Sequence, residues 1–191
     1  MRTYENSLPE GYHQIKIISP STDRKDSIVK MFCIFTPSLL LLVLGFLFVN
    51  VSAVQYLTLL MLIPLLPLYI ILHELIHGIV YLILTGHGFK LGRSKDGFYC
   101  ILPQLYIYVK TQLLGAAAPF VVFTITLLSG CVIAIVNQSC LFMILSFLLA
   151  FHFFACRGDI YLIKELLKLK GAGKLLVIED ENGDNAVFGL N

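Results

Sequence analysis

The sequence of 191 residues predicts an all-α polytopic membrane protein with four transmembrane helices and small cytoplasmic β elements. Three observations carry that expectation. Hydrophobic residues make up 58% of the chain and charged residues only 14%, whereas ordinary soluble domains carry about 25% charged residues. Four apolar runs, 31–51, 56–85, 112–136 and 140–156, are long enough to span a bilayer. All 14 Lys and Arg residues lie outside these runs, in three segments: before the first, between the second and third, and after the fourth. The loops 50–55 and 137–139 have none. The excess of basic residues on cytoplasmic loops then places both termini and the central loop in the cytoplasm.

Taken in order, residues 12–18 (Tyr-His-Gln-Ile-Lys-Ile-Ile) alternate as a strand does, and 19–26 read as a turn that leads into the first helix. No run reads as a cleaved signal peptide, because the first apolar stretch begins near residue 31 with no small-residue cleavage site after it. The second run is long. At 1.5 Å per residue it measures roughly 45 Å against a hydrocarbon thickness of about 30 Å, so its inner end should reach the cytoplasmic interface. Pro64 and Pro67 should kink its outer half.

Between runs two and three, Lys95-Asp96-Gly97 sits between apolar segments as a hairpin turn, and 104–109 reads as a further extended piece. A β element at the membrane surface can take on an unfolded substrate segment as an extra strand. The third run opens with Gly115-Ala116-Ala117-Ala118-Pro119, small residues that let helices approach closely. The fourth closes at Arg157-Gly158-Asp159, followed by a charged helix over 160–170. Two strands, 174–179 and 186–190, flank a turn at Glu181-Asn182-Gly183-Asp184. Residues 1–170 form one expected membrane-embedded domain, and 171–191 a short cytoplasmic tail.

The five cysteines show no CxxC spacing and read as small packing residues rather than metal ligands or disulfide partners. A net charge of +2 is too small to imply nucleic acid. Basic residues at span ends serve instead as anchors to anionic lipid headgroups.

The chemistry is concentrated in His73-Glu74-Leu75-Ile76-His77. Apart from tyrosines, these two histidines and Glu74 are the only ionisable side chains in the run 56–85. Spacing of four on a helix puts both imidazoles on one face, where they can ligate one Zn²⁺, and the adjacent glutamate can serve as general base towards water that the metal activates. An ionisable residue inside a span is costly and marks a functional site by default.

A catalytic zinc takes three protein ligands. Along its helix His73 lies roughly 26 Å from residue 56, and Asp159 about 28 Å from residue 140, both towards the cytoplasm. His152 lies only about 18 Å along. Depth therefore favours Asp159 as third ligand, with His152 as a neighbouring residue or the alternative ligand. Asp96 and the acidic residues of the termini are further candidates, while His13 and His87 read as ordinary polar positions.

With these residues in place the chain resembles the site-2 protease group of intramembrane metalloproteases, and more closely the small bacterial "Putative zincin peptidase" family. The resemblance covers the N-terminal strand, His73–Gly78, the β-rich insert, Gly115 to Pro119 and Gly158-Asp159. It implies that His73 and His77 bind zinc, that Glu74 is catalytic, that Asp159 is the third ligand, and that the source is bacterial. The chain departs from site-2 proteases in lacking an Asn/Pro-rich stretch before Leu-Asp-Gly; the aspartate sits in Arg157-Gly158-Asp159-Ile160, with His152 upstream.

Two functions follow as expectations. One is a zinc endopeptidase acting on membrane or juxtamembrane substrates. The other is a non-catalytic zinc-binding membrane protein, such as a partner subunit or scaffold. Glu74 separates them, since a zinc store does not need it and a hydrolase does.

Overall fold

The computed structural model describes residues 4–19, 27–93, 98–102, 104–169, 174–180 and 183–190. In chain order the elements are β1 (Tyr4–Glu5), β2 (Tyr12–Ile18), α1 (Ser27–Phe48), a 3₁₀ helix (Ala53–Met61), α2 (Leu62–Thr85), β3 (Lys90–Arg93), β4 (Phe98–Ile101), β5 (Tyr106–Tyr108), α3 (Val109–Val136), α4 (Leu141–Ala155), α5 (Arg157–Lys168), β6 (Leu175–Glu179) and β7 (Asn185–Leu190). They fall into two compact units. One is Met1–Thr22, Ile71–Pro119 and Gly158–Asn191; the other is Asp23–Ile70 and Phe120–Arg157.

The first unit carries a five-stranded antiparallel sheet of order β1-β5-β6-β7-β2. β6 is central, and Leu175, Leu176 and Val177 on it are all buried, as a strand covered on both faces requires. β7 alternates, with Asn185, Val187 and Gly189 turned inward. The core of this unit joins Ile107, Leu175, Val177 and Val187 of the sheet to Leu162 and Leu166 of α5 and to Tyr81 of α2. At the sheet edge Lys16 of β2 meets Glu165 of α5 at 2.6 Å, and Lys168 pairs with the same carboxylate. β3 and β4 form a separate two-stranded sheet. The Lys95-Asp96-Gly97 turn expected between them lies outside the described residues, as do Glu181 and Asn182 of the C-terminal turn.

The second unit is helical. Its core clusters centre on Phe142 and Met143, and on Leu127, Ile144, Leu148 and Leu149. α1 comes close to α4 at Gly45, where a Cβ would meet the Phe142 ring at 2.1 Å. Only a glycine leaves room for that ring.

All four apolar runs are largely helical, and by length and composition the described residues give two or three candidate spans. Two stretches, Gln55–Thr85 and Val109–Val136, are long and apolar enough to cross a membrane. α4 and α5, bent by 41°, make a third if taken as one broken span. The apolar part of α1 among the described residues, Ser38–Phe48, is shorter than a bilayer demands. The helices expose Leu47, Ile63, Ile83 and Val136 at 72% or more, an outward apolar surface that suits lipid rather than water. The outer end of the second run is 3₁₀ rather than a kinked α-helix; Pro64 falls in the first turn of α2, where its missing N–H costs nothing, and Pro67 lies inside the helix. α2 stops at Gly86, whose φ of 72° is the left-handed conformation typical of a residue just past a helix end.

Candidate metal centre

His73 and His77 lie one turn apart on α2, with ring centroids 5.0 Å apart and both side chains buried. Asp159 enters from the first turn of α5, where the helix dipole favours a carboxylate. Its Oδ2 lies 3.1 Å from His73 Nε2 and its Oδ1 3.4 Å from His77 Nε2. One ligand atom from each residue falls within a cluster 4.8 Å across.

The hydrogen bonding of His77 decides what such a cluster can hold. Its Nδ1 is 2.9 Å from the carbonyl oxygen of Gly115. A carbonyl only accepts, so the proton sits on Nδ1 and a neutral ring presents a bare lone pair at Nε2. That lone pair faces a carboxylate oxygen. Two acceptors in this position repel each other unless a proton or a cation lies between them. A tetrahedral zinc with ligand atoms at about 2.1 Å holds them about 3.4 Å apart, close to the separations found. The residues therefore fit zinc, and the Nδ1–H to carbonyl contact is the kind of outer hydrogen bond that fixes a ligating imidazole.

Glu74 is half-buried beside the pair, and the backbone N–H of Cys100 in β4 donates to its carboxylate. A pocket of about 320 Å³ opens at this glutamate, lined otherwise by Ile71, Leu91, Gly92, Phe98 and Tyr99. The site is thus set between the motif turn of α2 and the β3–β4 hairpin. Gly78, directly after His77, admits the ring of Phe89; a Cβ there would meet it at 2.4 Å.

His152 lies in the other unit. Its Nδ1 meets the Tyr69 hydroxyl at 2.6 Å and its Nε2 the Thr124 hydroxyl at 3.0 Å, within an aromatic surround of Phe120, Phe123 and Phe153. His87 caps the end of α2 through Thr85, and His13 is exposed on β2. Asp96 is outside the described residues.

Sequence reasoning missed a group of residues that joins α2 and α3 to the C-terminal strands. Tyr81 stacks near His77, with centroids 6.5 Å apart, and fills the space above Gly115. Its hydroxyl donates to Gln112 Oε1 at 3.1 Å, and Gln112 Nε2 donates to Asn185 Oδ1 at 3.0 Å. Glu179, the cross-strand partner of Asn185, feels the charges of His77, Glu74 and Asp159. Burial pushes its carboxyl up to about 8; Glu74 and Asp159 add to the rise and His77 opposes it. The one hint in the sequence is that Asn185 falls where a strand should begin.

A helix bearing His-Glu-x-x-His with a carboxylate converging on both imidazoles defines a zincin-type centre. The chain matches the "Putative zincin peptidase" family over residues 66–172 and belongs to it. No curated protein and no solved structure matches the chain. Membership points to a metallopeptidase with zinc as its metal.

Proposed function

We propose that this protein is an intramembrane zinc endopeptidase of the site-2 protease type, which cleaves membrane-spanning or juxtamembrane segments near the cytoplasmic face. The observation that carries it is the convergence of His73, His77 and Asp159 beside a glutamate that the Cys100 N–H holds at the mouth of a pocket. In this arrangement His73, His77 and Asp159 hold the metal. When bound, zinc supplies the Lewis acidity that brings the pKa of water to about 7 and polarises a peptide carbonyl. The Glu74 carboxylate takes a proton from the attacking water and delivers it to the leaving amine. Gly115 keeps His77 in the tautomer that leaves Nε2 free to ligate. Ile71, Leu91 and Phe98 give the pocket an apolar wall suited to side chains from a membrane segment. β3 and β4 pair only with each other among the described residues, which leaves an outer edge where an unwound substrate can add as a strand.

The topology in this proposal has four spans, with α1 as the first, and both termini in the cytoplasm, supported by the confinement of the basic residues to three segments. Reporter fusions after Gln138 should read outside and those after Asp184 inside.

The decisive experiment compares wild type with Glu74→Gln in membranes, by proteomics and then on any substrate so found. Turnover should fall on the order of 10²–10⁴-fold, the range of a general acid–base contribution, while zinc content is unchanged. Unaltered turnover would overturn the mechanism. Zinc bound with no wild-type turnover of any membrane protein would favour the non-catalytic reading.

A further inference from the structure

The β6–β7 hairpin lies beyond the segment matched to the family, which ends at residue 172, yet it reaches the metal centre through two buried hydrogen bonds that end at Tyr81 and the packing of the Tyr81 ring against Gly115. Asn185, 1% exposed, opens β7 with its side chain turned inward beside Val187. Its Oδ1 accepts from Gln112 Nε2 at 3.0 Å, and its own amide donates to the Gly183 carbonyl at 3.3 Å. Gln112, 2% exposed, uses its remaining oxygen to accept from the Tyr81 hydroxyl at 3.1 Å. Gln112 and Gly115 are three residues apart on α3, hence on one face of the helix. The Tyr81 ring lies against Gly115, whose carbonyl holds His77 Nδ1 at 2.9 Å.

The order of donors and acceptors along this series is fixed. Gln112 must direct its oxygen to the tyrosine and its nitrogen to the asparagine, and Asn185 must then direct its oxygen to Gln112 and its nitrogen to the turn carbonyl. None of these groups can rotate without leaving a buried amide unpaired, which is costly. A hydrophobic contact between the hairpin and α3 would have filled the same space without specifying an orientation. The polar series therefore sets the position of the Tyr81 ring, and with it the position of the Gly115 carbonyl relative to His77.

We propose that Asn185, Gln112 and Tyr81 are positioning residues for the metal ligand His77, so that the C-terminal hairpin is a component of the metal centre rather than an appendage. The inference rests on the zinc centre proposed above. Residues that orient a metal ligand from outside typically change metal affinity by about 10–100-fold when lost, and a similar change is expected here.

The test uses the full chain purified in detergent and measures metal affinity directly, without substrate. Zinc affinity is read by competition with a chromogenic chelator, and ligand geometry by the visible absorption of the cobalt-substituted protein. Tyr81→Phe, which keeps the ring and removes one hydroxyl, and Asn185→Leu should each weaken zinc about 10–100-fold and shift the cobalt bands. Val187→Ala, a cavity in the same strand and core that removes no hydrogen bond of the series, provides the stability control. It should lower the melting temperature but leave affinity and bands as in wild type. The exchange Gln112→Asn with Asn185→Gln keeps the total side-chain length and both hydrogen-bonding ends, and should recover more affinity than Asn185→Leu retains. Affinity and cobalt spectra of Tyr81→Phe and Asn185→Leu equal to those of Val187→Ala would overturn the inference while leaving the zinc centre intact. A wild-type chain that takes up neither metal would overturn both.

Discussion

His77 donates from Nδ1 to the Gly115 carbonyl at 2.9 Å, and Gly115 is also the residue whose missing side chain leaves room for Tyr81. A Cβ at this position would lie 2.1 Å from Tyr81 Cε1. One glycine thus serves both the tautomer of a metal ligand and the packing of α2 against α3.

Gly115→Ala should therefore be harmful although alanine is the better helix former. The ring must move or the helices must part, an overpacking that typically costs about 1–3 kcal/mol, and the Gly115 carbonyl moves with them. Gly130→Ala, on the same helix, meets only the flexible end of Leu145 at 3.2 Å. It should be neutral or slightly stabilising, since glycine inside a helix costs up to about 1 kcal/mol relative to alanine. Melting temperature and zinc content of the two variants check this; equal behaviour would remove the special role of Gly115.

Cys100 should be inert despite standing beside the site. Burial, followed by the charges of Glu74 and Glu179, pushes its thiol from an ordinary 9.0 up to about 12. At about pH 8 the reactive thiolate is then about a thousandfold scarcer than for a free cysteine, and the thiol is only 5% exposed. Peptide mapping after brief alkylation should find Cys100 unlabelled in the folded chain and labelled in denaturant. Equal labelling in both would show that Cys100 is not buried in the folded chain.

The local part of this architecture was legible in the sequence, and the long-range part was not. The placing of His73 and His77 on one face follows from helix periodicity, and the meeting of Asp159 with them follows from its depth just past the fourth run. The strands other than β1 were also visible, since alternation and turn residues are local signals. Their partners were not. β1 pairs with β5 and β2 with β7, contacts spanning about half the chain or more that no local pattern encodes. Gln112 and Asn185 were missed because an amide next to a turn or at the start of a span looks like a surface residue, and Tyr81 because a tyrosine in an apolar helix looks like packing. The 3₁₀ start of the second run was hidden because its residues are as apolar as those of α2.

Glu179 should give the metal-free protein a measurable pH dependence. In the folded state its carboxyl is held up at about 8, against an ordinary 4.5. Between these values the folded chain holds a proton that the unfolded chain has released. Its stabilising contribution is thus complete below about 4.5 and is lost as the pH rises towards 8. Glu179→Gln stays neutral throughout. In chelator-treated samples, the melting temperature of the variant relative to wild type should rise between about pH 5 and pH 8. A constant difference would mean that Glu179 is ionised in the folded protein.

The final prediction concerns the residue that completes the metal site. Asp159 brings an oxygen to 3.1 Å from His73 Nε2 and another to 3.4 Å from His77 Nε2, separations close to those a tetrahedral ion imposes on its ligands. His152 has both ring nitrogens occupied, by Tyr69 and by Thr124, and ligation would break one of these buried bonds. Elemental analysis of detergent-purified protein should find one zinc per chain in wild type. Little should remain in His73→Ala, His77→Ala or Asp159→Ala, because two ligands hold the ion poorly against water. His152→Ala should keep its metal per folded chain while melting at a lower temperature, since it leaves a cavity and removes the buried hydrogen bond to the Tyr69 hydroxyl. Zinc retained in Asp159→Ala but lost in His152→Ala would transfer the third-ligand role to His152, and zinc absent from the wild type would leave the peptidase proposal without its cofactor.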